Sequence, residues 1–306
     1  MIRPRVLVLL AAHNGGKWIV QQIKTILNQQ SVNVRLIVSD DGSNDDTLAK
    51  VRQFAADPRV SVVAPPVPTG SAAQNFIWLI RSTCADEIDF VALADQDDIW
   101  HEDKLAVACS GLKARGAAGY SCAVTAFWEH GRERALTQKG SPRDLDFMFE
   151  GAGQGCTYVL QSAFFQRVQE FFRSNLQHLQ SLHYHDWAIY ALSRSWKLTW
   201  YFDANSMVRY RQHERNDTGA RLSRSGIAKR LRLIKSGWYR KQLKVISTIC
   251  ATAAPADARI AEWNDLLAQT PSLPRQLKIA RICIMQGRRR TFDNVVLLVA
   301  VASGWL

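Results

Sequence analysis

With 306 residues and 47% apolar side chains, the chain can bury one large core or a core with an appendage, and its composition excludes a disordered protein. Six scattered cysteines with no Cys-x-x-Cys pair exclude a zinc knuckle or a disulfide framework and fit a reducing cytoplasm. The net charge of +12 is local: residues 1–220 hold 23 basic and 23 acidic side chains and residues 221–306 hold 16 and 4, so the last quarter is a separate electrostatic object.

The basic Met1 to Arg5 ahead of the apolar Val6 to Ala12 has the charge order of a secretory leader. The apolar run stops at His13-Asn14-Gly15-Gly16 without a small-residue cleavage site, so a strand is expected there. Helix-like and apolar stretches then take turns: Lys17 to Gln29, Val34 to Val38, Asp46 to Ala55 and Val60 to Val63. That alternation predicts a mostly parallel, doubly wound sheet whose ligands bind beyond the carboxyl ends of the strands. The apolar Phe90 to Leu93 predicts another strand, followed by a helix from near Glu102 and a strand over Gly119 to Phe127. After the Gly-rich Gly151 to Gly155, helices are expected from Ser162 to about Phe172 and from Asp186 to Ser193, with short strands at Leu198 to Phe202 and Met207 to Arg211.

Three polar clusters fall at strand ends. Asp95, Asp97 and Asp98 close the strand at Phe90 to Leu93. Three carboxylates within four residues repel one another, and a hard divalent cation between them removes that cost while gripping a diphosphate. The plainer alternative is an acidic first turn for the helix that follows. Asp40-Asp41-Gly42-Ser43 supports two readings equally: a carboxylate that accepts the ring N–H of uracil or thymine, or a turn with Ser43 or Asn44 capping the next helix. His13-Asn14-Gly15 ends the first strand.

Taken in order, Ala11-x-x-Asn14-Gly15, Asp40-Asp41-Gly42-Ser43 and Asp95-x-Asp97-Asp98-Ile99-Trp100 resemble the nucleotide-sugar half of the large inverting glycosyltransferase family 2. The segment Gly70 to Phe76, with Asn75, is similar to that family's donor-side segment. His185-Asp186-Trp187 and Tyr210-Arg211-Gln212-His213, followed by Asn216 and Gly219, resemble the acceptor-side and closing motifs of bacterial rhamnosyltransferases that make surface polysaccharide. Two departures are visible, Gly16 where relatives carry an acid and Glu214-Arg215 after His213. The resemblance runs from about residue 5 to 220 and implies an α/β glycosyltransferase A fold, Rossmann-like with a mostly parallel sheet. Residues 1–220 would form the donor- and acceptor-binding catalytic domain and 221–306 a basic helical extension.

Carried over residue by residue, the resemblance implies donor binding by Ala11, His13, Asn14, Gly15, Asp40, Asp41, Asn75 and Asp95. It implies Mg²⁺ or Mn²⁺ held by Asp97, Asp95 and His213, acceptor binding by Gln154, Gly155, His185 and Trp187, and Asp186 as general base. A sugar hydroxyl is a poor nucleophile, so a carboxylate within hydrogen-bonding reach is what the reaction needs. Without the resemblance, Asp186 reads equally as a helix cap.

The implied donor is dTDP-rhamnose, the alternative a UDP-sugar, and the acceptor a glycan or lipid-linked glycan. Ile227, Leu231, Ile234 and Trp238 lie at helical spacing among seven Lys and Arg residues, a basic amphipathic helix suited to an anionic membrane surface. Residues 221–306 would thereby place the enzyme on the inner face of the cytoplasmic membrane. Val295 to Ala302 is apolar but far shorter than the roughly 20 residues a span requires. A nucleotidyltransferase would carry a Gly-rich basic phosphate loop after the first strand, which His13-Asn14-Gly15-Gly16-Lys17 imitates only weakly. Nucleic acid is not an expected partner, because the first half presents acids at its ligand edge. The sequence leaves the oligomeric state open.

Overall fold

The computed structural model describes residues 2–137, 141–213 and 233–305. Its contacts divide the chain into two units, the first being Met1–Gln138, Ala152–Asp186 and Leu198–Gly219, and the second Lys139–Gly151, Trp187–Lys197 and Ala220–Leu306.

The first unit has the expected α/β architecture. In chain order it carries β1 (Arg5–Ala12), α1 (Ile19–Leu27), β2 (Asn33–Asp40), α2 (Thr47–Arg52), β3 (Val60–Val63), α3 (Ala72–Ser82), β4 (Phe90–Ala94), β5 (Ile99–Trp100), α4 (Lys104–Arg115), β6 (Gly119–Trp128) and β7 (Glu133–Leu136). Then follow β8 (Val159–Gln161), α5 (Ser162–Ser174), the single turn α6 (Leu176–Leu179), the start of α7 (His185–Ser195) and β9 (Trp200–Gln212). The sheet order is β3-β2-β1-β4-β8-β6-β9-β5, with β7 on β6. β3, β2, β1 and β4 run parallel, as do β6 and β9, and β8 enters antiparallel between β4 and β6.

The parallel strands explain the unbroken apolar runs. Val6 to Leu10, Leu36, Val38 and Val91 to Ala94 are fully buried because helices cover both faces of such a sheet. Ile19, Ile23 and Ile26 recur at helical spacing on α1 and join that core. β1, β2 and β4 are in register, so their carboxyl ends at Ala12, Asp40 and Ala94 bring the three polar clusters to one edge.

Two details differ from the sequence expectation. The two short strands expected between Leu198 and Arg211 are one strand, β9, whose pairing with β6 shifts register around Ala123. There Asp203 accepts the Asn205 backbone N–H at 2.9 Å, so the polar residues form a bulge and not a break. The α2 cap is also different: Asp45 accepts the Thr47 backbone N–H at 2.9 Å, while the Ser43 hydroxyl donates to Asp40 at 2.6 Å. Ser43 is held in the preceding turn and cannot reach the helix.

The second unit is built from three separated stretches. Its helices α8 (Trp238–Ala253), α9 (Ala258–Ala268), α10 (Leu273–Gln286) and α11 (Thr291–Ala302) join the body of α7 and the segment around Asp146. Asp146 is fully buried and ion-paired to Arg194 at 3.0 Å and Arg289 at 3.1 Å, and the Tyr190 hydroxyl donates to it at 3.0 Å. Tyr239, Leu243, Ile246 and Ile249 on α8 are buried, and Trp238, of the apolar positions expected to face a membrane, is half-buried. Ile227 and Leu231 lie outside the described residues, and Ile234 is buried.

Candidate active site

The strand-end loops are stitched to one another by side chain to backbone bonds. The His13 backbone N–H donates to the Gln96 side-chain oxygen at 2.8 Å and the Gln96 amide donates back to the His13 carbonyl at 3.0 Å. His13 Nδ1 lies 3.0 Å from the Asp41 carbonyl, which can only accept, so Nδ1 carries the proton. Nε2 then accepts from the Asn14 amide at 3.0 Å. Asn14, held at φ 50°, donates its backbone N–H to Ser43 Oγ at 2.9 Å and accepts the Asn44 N–H at 2.8 Å. Gly42 turns at φ +73°, a conformation that glycine adopts without strain.

Around these loops lies a cleft of about 490 Å³, lined by His13, Asn14, Trp18, Asn44, Asp45, Gln96, Asp97 and His213. Asp97 meets His213 across it, Oδ2 to Nε2 at 2.7 Å, and Trp18 stacks on the His213 ring at 4.2 Å. Arg211 braces the acidic turn: its backbone N–H donates to Asp98 Oδ1 at 3.1 Å and its Nε to the Asp97 carbonyl at 2.7 Å. Trp18, Asn44, Asp45, Gln96 and Arg211 were not singled out by the sequence as site residues. The closing Tyr-Arg-Gln-His run contains Arg211, and the acidic cluster from Asp95 to Asp98 encloses Gln96.

The acids of the turn separate into two groups. Asp97 faces the cleft, whereas Asp95 lies with Asp98 and Cys156, their ligand atoms all within 4.8 Å of one another. Burial, then the charges of Asp97 and Asp95, push the Asp98 carboxyl well above the ordinary carboxylate range. Of these residues, Asp97 and His213 are the pair whose donor atoms converge on the cleft, and a carboxylate with an imidazole suits a divalent cation.

Other donor-side residues are engaged in holding the loops. Ala11 and Gly15 shape the end of β1, Asp40 accepts from Ser43, and Asp41 accepts the backbone N–H groups of Thr69 at 2.6 Å and Gly70 at 3.2 Å. Asn75 is buried against β2, where it accepts from Ser39 Oγ at 2.6 Å.

On the acceptor side, the sequence order brings Gly155 against His185 and Asp186. A side-chain carbon at Gly155 would sit 3.0 Å from Asp186 Cβ, 3.2 Å from His185 Nε2 and 3.3 Å from Asp186 Oδ2, so a larger residue there crowds the carboxylate. His185 stacks on Phe76 at 3.9 Å, and burial pushes its imidazole down from 6.5 to about 3. The ring next to Asp186 is therefore uncharged. The carbonyl of Gln154 accepts the Thr157 N–H at 3.0 Å and so fixes the same turn. Trp187, by contrast, is buried in the second unit with its indole donating to the Phe147 carbonyl at 2.8 Å.

Beneath the acidic turn, Lys104 is fully buried with no hydrogen-bond partner at Nζ, which lies 3.2 Å from the centre of the Trp100 ring. Burial lowers its ammonium from 10.5 to about 8. Between those pH values the unfolded chain binds the extra proton, so stability rises with pH across that window, by roughly 3 kcal/mol in total. In urea melts from pH 7 to 10.5 the stability of the parent relative to Lys104→Met is expected to rise by this amount. The buried thiols, whose raised pKa values act in the opposite sense, are common to both.

The fold and site define a nucleotide-sugar transferase, and the chain belongs to Glycosyl transferase family 2, whose profile matches residues 7–185. Among its relatives is the dTDP-rhamnosyl transferase RfbG of Shigella flexneri, 35% identical over 244 residues that cover 79% of this chain and 84% of that protein. Solved structures with the same fold include S. aureus TarS 1–349 in complex with UDP-GlcNAc, with a TM-score of 0.60 at 12% identity over 98% of this chain and 80% of that one. The mannosyltransferase PcManGT of Pyrobaculum calidifontis, in complex with GDP-Man and Mn²⁺, gives 0.52 at 18% identity over 99% and 87%. Glycosyl transfer is therefore the activity of this chain.

Proposed function

We propose that this transferase moves L-rhamnose from dTDP-rhamnose, with inversion, to a hydroxyl of a glycan or lipid-linked glycan during surface polysaccharide synthesis. The observation that carries the reading is the convergence of Asp97 and His213, 116 residues apart, on the cleft beside the strand-end loops. The kinship with RfbG supports dTDP-rhamnose as the donor.

In this scheme Asp186 accepts the proton of the acceptor hydroxyl as its oxygen attacks the anomeric carbon. The bond from that carbon to the diphosphate breaks on the opposite side, dTDP departs, and the configuration inverts through an oxocarbenium-like state. Asp97 and His213, with Asp95 nearby, would hold Mg²⁺ or Mn²⁺, and such an ion, when bound, neutralises charge on the departing diphosphate. Asp41 remains the candidate for the pyrimidine ring. The enzyme would work as a peripheral protein on the inner face of the cytoplasmic membrane, through residues 221–306.

Thermal unfolding with dTDP, UDP and GDP, each with Mn²⁺, tests the donor. A ligand at a hundredfold excess over its Kd stabilises by about 2.7 kcal/mol, so the preferred nucleotide is expected to stand out by several degrees. Consumption of dTDP-rhamnose that requires a glycan acceptor supports the reading. Pyrophosphate release from dTTP and rhamnose 1-phosphate would instead reveal a nucleotidyltransferase.

A further inference from the structure

Nine large apolar side chains are strongly exposed among the described residues, and seven of them lie on α10 and α11. On α10 these are Leu273, Leu277, Ile284 and Met285, and on α11 Phe292, Val295 and Val299, each between 49% and 69% exposed. The spacings of Leu273, Leu277 and Ile284, and of Phe292, Val295 and Val299, put one stripe on each helix. The other faces are engaged within the second unit: Ile279 and Cys283 on α10 and Leu297, Ala300 and Val301 on α11 are buried, and the two helices pack on each other.

The charge around the stripe distinguishes its occupants. Residues 273–302 hold six Lys or Arg and a single acid, Asp293, but Arg275 is buried and Arg288 and Arg289 pair with Glu150 and Asp146 inside the unit. Lys278 and Arg281 are exposed on α10, and Arg281 falls one turn from both Leu277 and Ile284, within the apolar stripe itself. A second copy docking by twofold symmetry would bring this cationic stripe against itself with hardly an acid to answer it. An anionic surface answers both features, the cations by attraction and the apolar side chains by burial. No helix among the described residues is long and apolar enough to cross a membrane, and α11, at 12 residues, is about 18 Å long.

We propose that the exposed stripe of α10 and α11 is a docking face for an anionic lipid bilayer. Its apolar side chains enter the boundary between headgroups and acyl chains, and Lys278 and Arg281 meet lipid phosphates. The proposal deepens the membrane-surface reading above by moving the contact from the basic helix around Trp238 to the last helical pair, and it rests on that reading for its purpose, access to a lipid-linked acceptor.

The test is sedimentation of the full chain with vesicles of phosphatidylglycerol and phosphatidylethanolamine, against vesicles of phosphatidylcholine alone. The parent is expected to pellet with the first and not the second. The pairs Phe292→Asp/Val299→Asp and Lys278→Glu/Arg281→Glu are each expected to lose at least about tenfold in apparent affinity. The substituted positions are exposed, so melting temperature and protection by dTDP should match the parent in both pairs. Equal pelleting with the two vesicle types, or unchanged pelleting of either variant, overturns the proposal. So does a dimer in sedimentation velocity that Phe292→Asp/Val299→Asp dissolves, because the stripe then belongs to a second copy. Loss of dTDP protection in the parent would instead remove the donor reading and leave the lipid result standing by itself.

Discussion

Asp186→Asn is expected to bind the donor nucleotide nearly as the parent does while its rate of transfer falls by 10²–10⁴-fold. The asparagine keeps the size and planarity of the side chain but cannot take up the acceptor proton at neutral pH. The surroundings of Asp186 sharpen this expectation. The neighbouring His185 is neutral down to about pH 3, so it neither ion-pairs with the carboxylate nor replaces it with a protonated acid in the working range. Gly155 leaves space directly against Asp186 Oδ2. Single-turnover rates at saturating dTDP-sugar, together with the affinity for dTDP, separate the two effects. Retention of more than about a tenth of the rate would show that another group removes the proton.

Asp97→Ala is expected to lower transfer by about 10²–10³-fold and to raise the concentration of Mn²⁺ or Mg²⁺ needed for half-maximal rate. Asp97 and His213 are the side chains that meet at 2.7 Å on the cleft, and Asp95 stands instead with Asp98 and Cys156. The loss at Asp97 should therefore exceed that at Asp98, whose backbone-bonded carboxyl is enclosed and shifted toward its neutral form. Initial rates of the parent in excess chelator, followed by readdition of either ion, complete the measurement. Full turnover in chelator would exclude a metal from the reaction.

The part of this architecture legible from sequence is the part in which one strand and its next turn suffice. Apolar runs ending in His13-Asn14, Asp40-Asp41 and Asp95 to Asp98 placed three clusters at strand ends, and parallel register brings those ends together. β8, only three residues long, and β5, only two, carry no period of their own and form because neighbouring strands offer them an edge. The residues that assemble the site were hidden for a related reason. Gln96 and Arg211 act by bonding backbone groups on other loops, which no local pattern encodes. Asn75 shows the converse, a motif position placed beside the nucleotide by resemblance whose amide in the structure clamps β2.

The pairing of Asp146 with Arg289 sets an order of events during synthesis, since 143 residues separate the two partners. At 5–20 residues per second the ribosome needs on the order of ten seconds to reach the arginine after the carboxylate has emerged. Through that interval Asp146 has Arg194, 48 residues on, but lacks the second of the two cations that face it. Completion of this pairing is consequently a late step, and nascent chains stalled before Arg289 should be more exposed to proteases than those that have passed it.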